Sequence, residues 1–220
     1  MSIKPLEGFT FGCDPELFVF NDKGEPVSAH PYIPGTKAAP YKVPGGAIQL
    51  DGTAAEFNID PVRNFTDFNN NIKKVLSAMK RFIPKDYTFQ CVPHVVYSEA
   101  EWDKIPDENK ELGCSPDFNA WTGDVNPPPA REPNSRLCTA SGHLHIGWTK
   151  DMELDNIEHL RHCNDLVKQL DWYLGGWSLS QDPDKVRRNL YGKAGALRYK
   201  SYVKNIVTGK RWHCNEFFGR

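Results

Sequence analysis

The side chains of this 220-residue chain with the types and spacing for chemistry are Asp14 and Glu16, Glu56, and His143 and His145. They stand in Gly-Cys-Asp-Pro-Glu, Ala-Glu-Phe-Asn-Ile and Gly-His-Leu-His-Ile, where polar and apolar residues alternate. That is the two-residue period of a half-buried strand, so Asp14 and Glu16 share a face, and so do His143 and His145. Strands of this kind laid side by side converge carboxylates and imidazoles on one surface. Oxygen and nitrogen donors on a rigid sheet suit Mg²⁺ or Mn²⁺, and zinc is less natural because no sulfur ligand is placed. The same residues also read as the ordinary solvent face of a half-exposed strand, although neighbouring carboxylates without a cation repel one another.

A second group is cationic. Lys193 and Arg198 lie in Tyr-Gly-Lys-Ala-Gly-Ala-Leu-Arg, where Gly192 and Gly195 permit close backbone approach and the cations suit phosphate. The alternative is a turn with two surface cations, and the segment is not the phosphate-binding Gly-x-x-x-x-Gly-Lys-Ser/Thr loop. His159 and His162 fall three apart in a helical pattern but flank its apolar stripe, which predicts solvent-facing side chains. No Gly-x-Ser-x-Gly elbow and no paired Cys-x-x-Cys occurs. The cysteines, at 13, 91, 114, 138, 163 and 214, are read as reduced thiols.

The elements that must position these residues follow from pattern. Residues 9–20 alternate as a strand that Pro15 must place at an edge, bulge or break. A Pro/Gly-rich loop spans 31–46, and 47–59 reads as a second strand ended by Pro61. Phe68, Ile72, Val75, Leu76, Met79 and Phe82 recur at helical spacing from Thr66 until Pro84, and this stripe is expected to bury against a sheet. Residues 87–97 read as an edge strand with Pro93, and Ser98-Glu99-Ala100-Glu101 as the capping box of a short helix. Residues 112–137 form a proline-rich loop, packed through Phe118 and Trp121, that is expected to shape substrate access. Residues 139–148 read as a strand, and 153–174 as a helix closed by Gly175-Gly176. The reading is one α+β domain over 1–220, with a mainly antiparallel sheet, helices on one face and an open face carrying the polar groups.

Composition bounds the partners. Lys+Arg total 27 against 28 Asp+Glu, which offers no basic stripe for nucleic acid. No apolar run is long enough for a membrane span, and Met1–Gly12 has no apolar leader core. The expected location is the cytoplasm.

The ordered set Gly-Cys-Asp-Pro-Glu (12–16), Ala-Glu-Phe-Asn-Ile-Asp-Pro (55–61), Asp-Phe-Asn-Ala-Trp-Thr-Gly (117–123), Gly-His-Leu-His-Ile-Gly (142–147) and Leu-Tyr-Gly-Lys-Ala-Gly-Ala-Leu-Arg (190–198) resembles the phage-type COOH.NH2 ligases, type 2. These are similar to glutamine synthetase and glutamate–cysteine ligase, and the resemblance covers about 10–200. It implies a glutamine-synthetase-like catalytic sheet and an ATP- and Mg²⁺- (or Mn²⁺-) dependent enzyme of the host cytoplasm. Such an enzyme joins a carboxylate to an amine, peptide or small molecule, through an acyl phosphate.

On that resemblance Glu16, Glu56 and His143 are metal ligands with Asp14 close by, and His145 lies nearer the nucleotide phosphates. Arg198 with Lys193 binds the nucleotide and steadies the transferring phosphoryl group. Relatives continue with a strand bearing Glu-aromatic-Arg and Ser-Asn, which residues 200–220 do not show; Glu216 stands at the wrong spacing for it. The competing readings are a metal-dependent hydrolase using the same carboxylate/His face, or a catalytically degenerate phage protein with a binding or structural role.

Overall fold

The computed structural model describes residues 8–110, 117–126, 132, 135–147, 157–181, 184–191, 195–199 and 215–217. The expected strand over 9–20 is two strands, β1 (Thr10–Cys13) and β2 (Glu16–Phe20), broken at Asp14-Pro15. Proline has no N–H to give to a ladder, so the chain changes partners there. An asparagine turn then leads to β3 (Pro26–Val27), with the Asn21 side chain accepting from the Lys23 and Glu25 N–H groups.

After β4 (Tyr41–Val43), the expected single strand over 47–59 is a tight hairpin, β5 (Gly46–Asp51) and β6 (Ala54–Ile59). Gly52, at φ 55°, takes the left-handed conformation that closes a two-residue turn after Asp51. The two central residues of that turn are Gly52 and Thr53, a glycine-first pair that suits a tight hairpin. These strands form a sheet in the order β3-β2-β6-β5-β4.

The helix stripe follows as α1 (Phe65–Met79), started by Asn64, whose side chain accepts from the Asp67 N–H at 2.9 Å. A 3₁₀ turn (Lys80–Phe82) and Pro84 end it. Val75 and Met79 are fully buried against Leu17, Val19, Ile48, Phe57 and Ile59, so the apolar stripe packs on the sheet as its period requires.

The other face of this sheet is partly covered rather than open. β7 (Thr88–Gln90) joins β2, and Pro93 separates it from β8 (His94–Val96). Ser98 caps the short α2 (Glu99–Trp102) by accepting from Glu101 N–H, and α3 (Asp107–Lys110) follows. Within the expected loop lies a small hairpin, β9 (Asp117–Asn119) and β10 (Val125–Asn126). Then β11 (Leu137–Thr139) pairs β8, and β12 (Leu144–Gly147) pairs β1. Phe18, Ala54, Val95, Tyr97, Ile105, Cys138 and Ala140 make a second apolar cluster on the side of the sheet away from α1.

The longest C-terminal helix is α4 (Ile157–Leu170). Gly175-Gly176 does not stop it: a π-helical turn (Asp171–Gly175) runs into α5 (Gly176–Gln181), with the Gly176 N–H bonded back to the Asp171 carbonyl. Glycine in a right-handed conformation extends a helix where a left-handed one would have capped it. His162 is exposed, as expected, but His159 is buried, with its Nε2 3.6 Å from the Cys163 sulfur. His159, Cys163 and Val167 recur every four residues, so the histidine joins the buried stripe.

After α6 (Lys185–Tyr191), β13 (Ala196–Tyr199) pairs both β9 and β14 (Asn215–Phe217). Every strand pairing among the described residues is antiparallel, and helices and sheets mix as in an α+β fold. No helix among them is long and apolar enough to cross a membrane.

Candidate metal and phosphate site

Ladder register places the acidic residues. Glu16 on β2 lies directly opposite Glu56 on β6, and Glu56 lies opposite Gln49 on β5. The two-residue period then puts Asp51 on the same face, one step along β5 from Gln49. Carboxylate oxygens of Glu16, Asp51 and Glu56 all fall within 4.8 Å of one another. Gln49 donates to Glu56 Oε2 at 2.9 Å, and the Ser141 N–H donates to Glu16 Oε2 at 2.7 Å. Lys37 Nζ pairs with Asp51 at 2.8 Å.

The trio occupies the face that carries Phe18 and Ala54, beside the second apolar cluster. Burial there raises Glu16 to about 7, with the neighbouring Asp51 charge adding to it. Burial likewise raises Glu56 to about 8 against the Gln49 hydrogen bond, and the Asp14, Asp51 and Glu16 charges push the same way. Protons are therefore held because negative charge is crowded and poorly solvated, which is the condition a divalent cation relieves.

Asp14 serves a different purpose. Its Oδ1 accepts from the His143 N–H at 3.2 Å and lies 2.9 Å from His143 Nδ1; its Oδ2 lies 3.2 Å from His145 Nε2. Burial alone would raise this carboxyl, but the His143 and His145 hydrogen bonds and charges outweigh it and hold Asp14 well below the usual carboxylate range. An ionised carboxylate only accepts, so His143 presents Nδ1–H to it. A carboxylate that fixes the tautomer and tilt of a metal-binding histidine is a recurrent outer-shell arrangement. His143 also lowers the proton affinity of Glu16, so the histidine pair and the carboxylate trio are electrostatic neighbours.

The break at Pro15 makes this possible. Asp14 directly follows β1, where its N–H donates to the carbonyl of His143, just before β12; Glu16 opens β2, beside β6. One short segment thus delivers one carboxylate to the histidines and the next to the acidic trio.

The structure thus brings together Glu16 with Glu56, and Asp14 with His143 and His145. Asp51 was not among the sequence candidates. Its signal was its parity with Gln49 once the hairpin at Gly52 is recognised. Arg198 lies on β13, opposite Glu216 on β14, so a strand does follow the glycine-rich segment. The β14 strand in turn runs close to β12. Lys193 lies outside the described residues, as do Cys114 and Cys214. The room at Gly195, at φ 70°, is taken by the Trp121 ring. Cys13 is buried, and that burial, helped by the Asp14 charge, pushes its thiol up to about 12.

No protein-family model, curated protein or solved structure matches this chain.

Proposed function

We propose that the chain is an ATP- and divalent-cation-dependent ligase that joins a carboxylate to an amine. The observation that carries this reading is the cross-strand pair Glu16–Glu56, completed by Asp51 and flanked by the Asp14–His143–His145 group. The donor set fits Mg²⁺ or Mn²⁺: the clustered atoms are hard oxygens from three carboxylates, poorly solvated and crowded with negative charge. The order of the sequence motifs, which resembles the carboxylate–amine ligases, adds the nucleotide to the proposal.

A bound divalent cation would supply charge neutralisation for the phosphate groups of ATP. The chain's own residues do the remaining work. Glu16, Glu56 and Asp51 would hold the cation, and Gln49 and the Ser141 N–H fix the orientation of two of those carboxylates. Asp14 holds the imidazoles of His143 and His145 in place beside the carboxylates, where His143 would serve as a further ligand and His145 would lie nearer the phosphates. Glu16 and Glu56 are poorly solvated, which strengthens each charge interaction made there. Arg198, and Lys193 in the segment before it, would bring positive charge to the transferring group.

The test is ADP release and amide formation with Mg²⁺ or Mn²⁺ over a panel of acids and amines. Turnover should require both substrates and fall by at least ~100-fold in Glu56→Gln with folding retained. Folded, cation-loaded protein that releases no ADP across the panel, or that cleaves amides without ATP, would overturn the ligase reading.

A further inference from the structure

Lys37 approaches the acidic trio from a loop outside the sheet. That loop is built to a fixed height: the Leu50 N–H donates to the Gly35 carbonyl at 3.2 Å, and Thr36 and Ala39 exchange backbone hydrogen bonds. Gly35 sits at φ 86°, and a Cβ there would come within 2.6 Å of both the Ile48 carbonyl and the Tyr41 nitrogen. Only glycine lets the loop lie this close on β5. Two residues later, Lys37 reaches Asp51, with its side chain 61% exposed against 25% for Asp51. The ammonium therefore stands between the carboxylates and solvent, and it also feels the Glu56 and Glu16 charges.

An ordinary surface ion pair of this kind adds little to stability and needs no further role. Here, however, its acidic partner is also one of three carboxylates that together suit a divalent cation. A cation on those carboxylates takes over the charge of Asp51 and repels the nearby ammonium. An oxyanion placed between the two cations removes that repulsion, and Lys37 approaches from the solvent side by which an anion would enter.

We propose that Lys37 is an anion-binding residue of this site, which exchanges Asp51 for a phosphate-type oxyanion carried by the bound divalent cation. This inference rests on the cation reading above. It makes Lys37 a competitor of the cation when no anion is present, and a partner of the anion when one is.

These two roles have opposite signs, which a merely structural role cannot produce. In Mn²⁺ titrations followed by electron paramagnetic resonance, Lys37→Met should tighten Mn²⁺ alone about threefold, because Asp51 is released. The same variant should weaken the Mn²⁺ complex of AMP-PNP about tenfold, through loss of a charge-assisted hydrogen bond. Lys37→Arg should return both values towards wild type. Mn²⁺ with acetate should bind both proteins with the same ratio as Mn²⁺ alone. A loss in Lys37→Met confined to the acetate arm would assign the residue to a carboxylate and overturn the phosphate role. Mn²⁺ binding without opposite shifts would overturn the role of Lys37 alone, whereas wild type that binds no Mn²⁺ would overturn the cation site with it.

Discussion

Raising the pH should destabilise the cation-free protein through Glu16 and Glu56. Both have an ordinary value of 4.5, and in the folded chain they hold their protons up to about 7 and about 8. Because the folded values lie above the unfolded ones, the contribution is complete below about 4.5 and is lost as pH rises through 7 to 8. Each proton kept by the native state but released by the unfolded chain changes stability by about 1.4 kcal/mol per pH unit. The two together remove several kcal/mol between pH 5 and pH 8.5, a large part of the ~5–15 kcal/mol that holds a domain together.

Urea unfolding in EDTA at a series of pH values measures this directly. The control is Glu16→Gln/Glu56→Gln, whose amides keep the shape of the protonated acids and cannot ionise. Wild type should lose stability across the window, and the variant should lack that part of the loss. Adding Mg²⁺ or Mn²⁺ at pH 8.5 should restore wild type and leave the variant unchanged. Equal pH slopes for the two proteins would refute the argument that burial and mutual repulsion hold these protons.

Other perturbations follow from the same geometry. Asp14→Asn should cost about 1–3 kcal/mol at neutral pH by removing a buried carboxylate shared by two histidines. Because the folded Asp14 value is depressed, that difference should begin to shrink as pH falls below about 4 and disappear only once pH passes the depressed folded value, and melts at pH 7 and over a descending series below pH 4 will show it. Met79→Ala, at a fully buried position between α1 and the sheet, should cost ~2–5 kcal/mol in urea unfolding with the native fold retained. Iodoacetamide at pH 8 should modify exposed Cys91 in the native protein and reach Cys13, Cys138 and Cys163 only on unfolding, as peptide mass spectrometry would resolve.

The parts of this structure legible in the sequence are those governed by one local rule. The stripe of Val75 and Met79, the Ser98 cap and the break at Pro15 each follow from period or backbone chemistry. Glu16 and Glu56 were legible as candidates because alternation fixes the face of a side chain. What alternation cannot fix is which strand lies beside which. The pairing of Glu16 with Glu56, and of β1 with β12, depends on register between distant segments.

Asp51 was missed for a related reason. Treating 47–59 as one strand hid the hairpin that brings Asp51 and Glu56 to the same face. His159 was misplaced because a histidine beside an apolar stripe was read as polar, whereas its spacing to Cys163 puts it inside. Gly176 illustrates a further limit: glycine tolerates both hands of helix, and sequence does not say which one is used.

The two halves of the site also differ in how far apart their residues lie along the chain. Gln49 and Glu56 are 7 residues apart, and one tight turn brings them together. Asp14 and His143 are separated by 129. Closing a short loop costs far less entropy than closing a long one, and distant contacts form late. Chain order therefore sets an assembly order. The hairpin with its acidic face forms early, and the histidines arrive only when β12 returns to β1. During synthesis the carboxylates emerge well before the histidines that lie beside them, so the nascent chain carries crowded negative charge before β12 arrives.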